Sequence, residues 1–317
     1  MINPFYHSGE KRFRSGIRIL FFFITLILII GGLQSVELGG WQWFLVIPIS
    51  YAWYRLNLFL TDQRIAKSSP WYDGGVEPTK VFFQEYALGW LIGILSLSLV
   101  VGMSLLLGWY RVAEEASLIS SNAEGGLWEE GSQWYSLLLL FIQMLAVGFY
   151  EELLTRGYFI INLQEGLRFG LQNSYAPLIA SVVLSSGLFS IAHIFNPNAS
   201  FWSSFNIFIA GVLLATPFIL TGRLGLSMGL HSAWNFVLAG LYGLPVSGLG
   251  WDVAVWKLEP IGPKWWTGGI FGPEAGFFGF IGIGLSFILI FIFLQIRTGQ
   301  IGIHPNWLNS AKESEHK

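Results

Sequence analysis

The residues of this chain best equipped for chemistry stand in three short groups inside apolar runs. The first is Glu151-Glu152-x-x-x-Arg156, at the end of the apolar run Tyr135 to Tyr150. A charge at the centre of a transmembrane helix costs about 2.5–3.5 kcal/mol on insertion scales, so adjacent charges there need a purpose. Glu152 and Arg156 lie at i and i+4 with the acid on the N-terminal side, the favourable order for an ion pair. Glu151 is rotated by about 100° and has no partner on its own helix face. The spacing predicts one neutralised glutamate and one available one.

The second group is Phe189-x-x-x-His193 and the third is His231-x-x-x-Asn235. Each i,i+4 pair shares one face of its helix, and the polar members are expected to point into a bundle rather than at lipid. A lone histidine in such a segment commonly bridges two helices. Three helices carrying Glu, His, His and Asn can do more. A carboxylate can take a proton from water, an imidazole can hold that water, and His plus Asn can donate to a developing oxyanion. These are the parts needed to hydrolyse an amide in a water-accessible cavity. Intramembrane Glu, Arg and His also suit proton relay or solute binding, so the residues alone leave hydrolysis and transport both open.

Composition sets the solvent in which these groups work. Of 317 residues, 53% are hydrophobic and 11% charged, against about 25% charged in soluble domains. This is the composition of an integral multi-pass membrane protein whose surroundings are the lipid bilayer. A net charge of −2 gives no basic surface for nucleic acid. With no cysteine, disulfides, thiolate metal sites and a cysteine nucleophile are excluded. His7, His304 and His316 sit in the polar ends, which leaves His193 and His231 in apolar surroundings. A zinc protease of the His-Glu-x-x-His type is not encoded, and Asp62, Asp73 and Asp252 fall in loops, unlike an intramembrane aspartyl pair. Gly225-Leu226-Ser227-Met228-Gly229 matches a nucleophile-elbow pattern but opens an apolar helix, so small-residue packing accounts for it better.

The elements that must position these residues are apolar helices. Lys11, Arg12, Arg14 and Arg18 lead into an apolar run to Ile30, with no small-x-small cleavage site after it, which reads as an uncleaved first span. Seven further spans are expected at about 41–60, 86–109, 134–156, 176–195, 201–221, 224–242 and 276–296, each near the ~20 residues that cross the hydrocarbon core. Pro48 and Arg55 weaken the first of these seven. Only Gly222-Arg223 joins 201–221 to 224–242, so those two must be antiparallel neighbours. With the N-terminus in the cytoplasm, the inside segments hold Lys11, Arg12, Arg14, Arg18, Arg55, Arg64, Lys67, Lys80, Arg156, Arg168, Arg223, Arg297, Lys312 and Lys317. The outside keeps Arg111, Lys257 and Lys264. That asymmetry favours an all-α polytopic bundle of about eight spans with both termini cytoplasmic, a single transmembrane domain over 1–317.

The outer loops differ in character. Residues 110–133 carry Glu114, Glu115, Glu124, Glu129 and Glu130, while 243–275 is long and rich in Trp, Gly and Pro. Trp251, Trp256, Trp265 and Trp266 suit an aromatic belt, and also a lid or re-entrant segment. Gly276, Gly279, Gly282 and Gly284 form an expected close-packing face on the last span.

Glu-Glu-x-x-x-Arg, then Phe-x-x-x-His, then His-x-x-x-Asn, in this order over about 148–236, resembles the CPBP intramembrane protease family. That family includes the CAAX prenyl endopeptidases and proteins of bacteriocin processing or immunity. The resemblance implies a protease core at 134–242 and cleavage of a peptide or prenylated protein substrate. It implies Glu151 as the general base with His193 as its partner, and His231 and Asn235 as oxyanion donors. Glu152, Arg156 and Phe189 become supporting residues. The family is described both as metal-dependent and as metal-free. If zinc or another divalent metal takes part, Glu151, His193 and His231 are the ligands expected, since N and O donors suffice. The pairing of Glu152 with Arg156 weighs towards no obligatory metal. An inactive scaffold or immunity protein and a proton-coupled transporter are the competing readings. Intact Glu151, His193, His231 and Asn235 argue against the first, and no inverted repeat supports the second.

The expected spans contain a conflict. They put Glu151 near the cytoplasmic end of its helix and His193 near the outer end of the next, although catalytic partners must share a depth. Either residues 157–175 continue the first helix past Arg156, or the second starts later than Ala176 and tilts.

Overall fold

The computed structural model describes residues 6–7, 12–35, 40–61, 74–113, 132–167 and 175–309. The acidic residues Glu114, Glu115, Glu124, Glu129 and Glu130, the aspartates Asp62 and Asp73, and Lys11, Arg64, Lys67, Arg168, Lys312 and Lys317 lie outside these residues, as does His316. In chain order the helices are α1 (Ser15–Gln34), α2 (Trp43–Thr61), α3 (Lys80–Leu106), α4 (Gln133–Glu152), α5 (Ile161–Leu167), α6 (Tyr175–Ala192) and α7 (Phe201–Thr221). They continue with α8 (Gly225–Phe236), α9 (Lys264–Thr267), α10 (Phe277–Thr298) and α11 (Asn306–Asn309). Two minimal antiparallel pairs accompany them, β1 (Tyr6–His7) with β2 (Arg12–Phe13) and β3 (Tyr110–Val112) with β4 (Leu258–Pro260). The fold is an all-α polytopic helical bundle.

The conflict over depth is resolved by the first of its two alternatives. After α4 the chain does not stop at Arg156; Leu153–Ile160 continues as π-helical turns into α5, giving one 35-residue helix from Gln133 to Leu167. Glu151 therefore sits near its middle. The Thr155 hydroxyl donates to the Glu151 carbonyl oxygen at 2.6 Å, a back-bond of the kind that bends helices. π-turns are rare and recur at functional sites.

Six helices among the described residues are long and apolar enough to cross a membrane: Ser15–Leu33, Lys80–Leu106, Gln133–Leu167, Tyr175–Ala192, Phe201–Thr221 and Phe277–Thr298. The other two expected spans are helices as well, and they fall short for physical reasons. α2 carries Pro48, Arg55 and a fully buried Asn57. α8 is 12 residues long, extended by π-turns over Val237–Leu241, and every residue from Gly225 to Asn235 is buried. A helix buried all round is a core helix, covered by protein rather than lipid.

Backbone contact explains how α8 reaches the centre. A Cβ on Gly229 would collide with the Tyr86 carbonyl of α3, and one on Gly89 with the Leu226 carbonyl of α8. The Gly225-Ser227-Gly229 pattern is thus a packing surface, with the Ser227 hydroxyl donating to the Leu214 carbonyl of α7 at 2.7 Å. At the α7–α8 turn Gly222 takes the left-handed conformation, φ 70°, that ends α7. On α10, a Cβ at Gly276, Gly279 or Gly282 would press on Trp266, Pro273 or Trp234, whereas one at Gly284 meets nothing within 4 Å. The expected four-glycine face is a three-glycine face, because Gly284 has rotated away from the contact.

The two ends of the bundle are chemically different. At one end Arg18 of α1 binds Glu165 of α5 at 2.6 Å, and buried Glu85 of α3 accepts from Arg223 at 2.5 Å and from Arg297 of α10 at 3.2 Å. The segment after α10 folds back there, its His304 N–H donating to the Ile219 carbonyl and the Trp307 carbonyl accepting from Gln164. At the other end β4 pairs with β3, and the 243–276 segment closes over the helix ends. Trp266 is buried there with its indole N–H on the Ser104 hydroxyl at 2.9 Å, and Trp265 stays exposed.

Candidate active site

Glu151 and Glu152 are neighbours in sequence with opposite environments. Glu152 is fully buried and Oε1 accepts from Arg156 Nη1 at 2.7 Å. Arg156 is itself spent on Thr155 Oγ1 at 2.6 Å, on the Gly211 carbonyl of α7 at 3.0 Å, and on the face of Phe189 at 4.6 Å. A buried charge needs such partners, since unpaired groups cost free energy; Glu152 Oε2 is buried without a hydrogen-bond partner among the described residues. Glu151 keeps 18% of its side chain exposed and accepts from the Tyr150 hydroxyl at 3.1 Å.

His231 on α8 stands between them. Its Nδ1 lies 2.8 Å from Glu152 Oε1, and its Nε2 lies 3.8 Å from Glu151 Oε2. The first is a hydrogen bond; the second is beyond hydrogen-bond length. One turn further along α8, Asn235 is buried and makes no protein hydrogen bond among the described residues. Phe189 on α6 packs edge-on against the rings of both His193 and His231, at 4.8 and 5.9 Å. His193 lies in the turn that follows α6, and its Nδ1 is 2.8 Å from the Phe189 carbonyl oxygen. The Ser185 hydroxyl donates to the Thr155 carbonyl at 2.5 Å, which ties α6 to the π-turns.

These side chains surround a cavity of about 600 Å³. Glu151, Phe189, His193, His231 and Asn235 line it, so a depth shared by Glu151 and His193 follows from the long helix. Glu152 and Arg156 stand behind the wall. Glu151 and His193 face the same space without a direct hydrogen bond between them, whereas the imidazole nearest to Glu151 is His231.

Sequence reasoning did not single out Glu274, Ser247, Asn196, Tyr150 or Gln143, all of which line the cavity. Glu274 precedes α10 and holds the loop above the site: Oε1 accepts from Trp234 Nε1 at 3.0 Å and Oε2 from the Ser247 backbone N–H at 2.5 Å. Ser247 sits at φ 50° and its carbonyl accepts from Asn196 Nδ2 at 2.8 Å. Trp251 lines the cavity from the same loop, which makes this stretch a roof as well as an aromatic surface. The usable signal was an acidic residue at the mouth of an apolar span, inside a loop that already looked like a lid.

No group of three His, Cys, Asp or Glu side chains among the described residues is arranged to hold a metal ion. Glu151, His193 and His231 do not form a ligand set in this arrangement, and Arg156 adds a positive charge behind Glu152. The donor set does not fit a resident metal, and no step below is routed through one.

Residues 133–237 match the family described as "Type II CAAX prenyl endopeptidase Rce1-like", a third of the chain and the part that carries all three motifs. No curated protein and no solved structure gives a match. The match lies in the family that the motifs resemble, and together with six apolar helices it makes the chain an integral multi-pass membrane protein.

Proposed function

We propose that this chain, Rce1-like over 133–237, is an intramembrane endopeptidase in which Glu151 activates water against a peptide bond. The observation that carries the reading is the contrast between two adjacent carboxylates. Glu152 is locked to Arg156 and His231, while Glu151 faces a cavity large enough for water and an extended peptide.

Water held beside Glu151 loses a proton to its carboxylate as the oxygen attacks the carbonyl carbon. The carbonyl π-electrons move to oxygen. The free amide of Asn235 and the ring of His231 are the donors at hand for that oxyanion. Collapse of the tetrahedral species breaks the C–N bond, and the proton on Glu151 passes to the leaving amine. His193, on the far wall, is suited to hold the attacking water or the departing amine. Glu152 fixes the orientation of His231, and Phe189 fixes both imidazoles by edge contact. The lipid bilayer and a peptide or lipidated protein are the partners this reading requires, with 134–242 as the catalytic core.

The test compares parent and Glu151→Gln proteins at equal abundance and searches the membrane proteome for new peptide termini. Termini formed by the parent alone are expected. Their absence with both proteins folded would favour a scaffold that binds without cleaving.

A further inference from the structure

Glu151 ends in two oxygens with different surroundings. Oε1 accepts from the Tyr150 hydroxyl at 3.1 Å, and Oε2 stands 3.8 Å from His231 Nε2, beyond hydrogen-bond length. No other hydrogen bond to the Glu151 carboxylate exists among the described residues. Its neighbour Glu152 is gripped on one oxygen by both Arg156 and His231. The outer glutamate therefore has a flexible side chain and a single hydrogen-bonded restraint. A general base has to be held within reach of the proton it takes, and misplacement by about 1 Å can cost about 10²-fold in rate.

Tyr150 is built to supply that restraint. A tyrosine turns about only two side-chain bonds, and its ring here packs against the apolar cluster that includes Leu153, Leu154 and Met228. Successive residues of a helix are about 100° apart, so the ring lies on the face beside Glu151 and its hydroxyl reaches round to Oε1. Both residues line the same cavity. The phenol has one proton to donate, and Oε1 takes it. That leaves Oε2 without a hydrogen bond, on the side of His231. The bond can also outlast the reaction step. When Oε2 takes a proton from water, Oε1 becomes the carbonyl oxygen of the acid and still accepts from Tyr150, while Tyr150 keeps its own proton.

We propose that Tyr150 is the positioning residue of the base: its hydroxyl fixes Glu151 Oε1 and so assigns Oε2 as the atom that receives the proton of the attacking water. The consequence for turnover rests on the hydrolase reading, whereas the hydrogen bond stands on geometry alone. An ordinary buried phenol would satisfy its hydroxyl on any acceptor nearby, and the two roles differ in what they do to the carboxylate and to kcat.

Tyr150→Phe removes the hydroxyl and keeps the ring. The first readout is infrared absorption of the purified full-length protein, in which the band lost on Glu151→Gln substitution marks the Glu151 carboxyl group. Measured in the same way in the Tyr150→Phe background, this band is expected at a different frequency, because its acceptor oxygen has lost a donor. A ring-fluorinated tyrosine incorporated at position 150 is a stronger donor of nearly the same volume. It should move the band in the opposite direction, and it serves if the phenylalanine variant does not fold. A band that stays in place overturns the proposal. The second readout is kinetic, on a synthetic peptide that spans a Glu151-dependent cleavage site found in the membrane proteome. Tyr150→Phe is expected to lower kcat by about 10–100-fold, as for a lost hydrogen bond to a charged group, with KM within about twofold. An unchanged kcat, or a loss shared with KM and the thermal midpoint, overturns the positioning role and leaves Tyr150 as packing. If the parent yields no Glu151-dependent termini, the base role falls with the hydrolase reading, and the infrared shift still decides whether Tyr150 holds Glu151.

Discussion

His231 Nδ1 and Glu152 Oε1 are 2.8 Å apart in a fully buried contact between α8 and α4. A carboxylate in that position holds a proton on Nδ1, so Nε2, which stands nearest to Glu151, donates to an oxyanion only when the ring carries its second proton. The inner glutamate thus does two jobs with one oxygen, since the same Oε1 also accepts from Arg156. Its position holds the ring that stands nearest to Glu151.

Glu152→Gln is therefore expected to reduce turnover more than substrate affinity, because the ring loses its orienting charge while the cavity wall keeps its shape. The pH profile of kcat should shift as well. A profile and a turnover number equal to the parent's would show that Glu152 does not orient His231.

Arg156→Ala should unfold more readily than the parent. It leaves Glu152 charged and buried with one cationic partner removed, a change that typically costs about 3–5 kcal/mol. Thermal unfolding in detergent checks this, and a variant that is inactive yet as stable as the parent would contradict the ion-pair role.

Asn235→Ala is expected to behave in the opposite way. Its amide has no protein partner among the described residues, so stability should hold while kcat falls by about 10²–10³-fold, the usual cost of one oxyanion donor. Loss of folding with intact specific activity would remove Asn235 from the chemistry.

Gly229→Ala and Gly284→Ala form a matched pair on packing. The first adds a methyl group against the Tyr86 carbonyl and should cost about 1–3 kcal/mol. The second meets open space and should be neutral or slightly stabilising, as Ala replaces Gly within a helix. Equal thermal midpoints for the two would contradict the α3–α8 contact.

His304, outside the spans, is held below its ordinary value of 6.5 by burial and by the charge of Arg223. The folded state therefore binds fewer protons than the unfolded state below that pH. The stability it contributes is present above pH 6.5 and is lost as pH falls towards the depressed folded value. His304→Gln should flatten this part of the stability profile. An unchanged acid limb would place its origin elsewhere.

Much of this was legible in the sequence, because bilayer physics acts on short stretches. The scarcity of charge and the length of the apolar runs determined an all-α polytopic bundle. The i,i+4 spacing of Glu152 and Arg156 determined their ion pair, since both ends lie on one helix. The three motifs pointed to Glu151, His193, His231 and Asn235, and the structure arranges all four around one cavity. What the tertiary structure alone decided concerns relations between helices. Where α4 ends depends on Thr155, the π-turns and the Ser185 contact, which apolar periodicity does not report. Whether α8 faces lipid or lies at the centre depends on close approach at Gly89 and Gly229, since an apolar helix reads alike in both settings. The bond from Glu152 to His231, and the roof built by Glu274 and Ser247, join residues 79 and 27 positions apart. Such pairs have no spacing rule, because only the packed bundle brings them together.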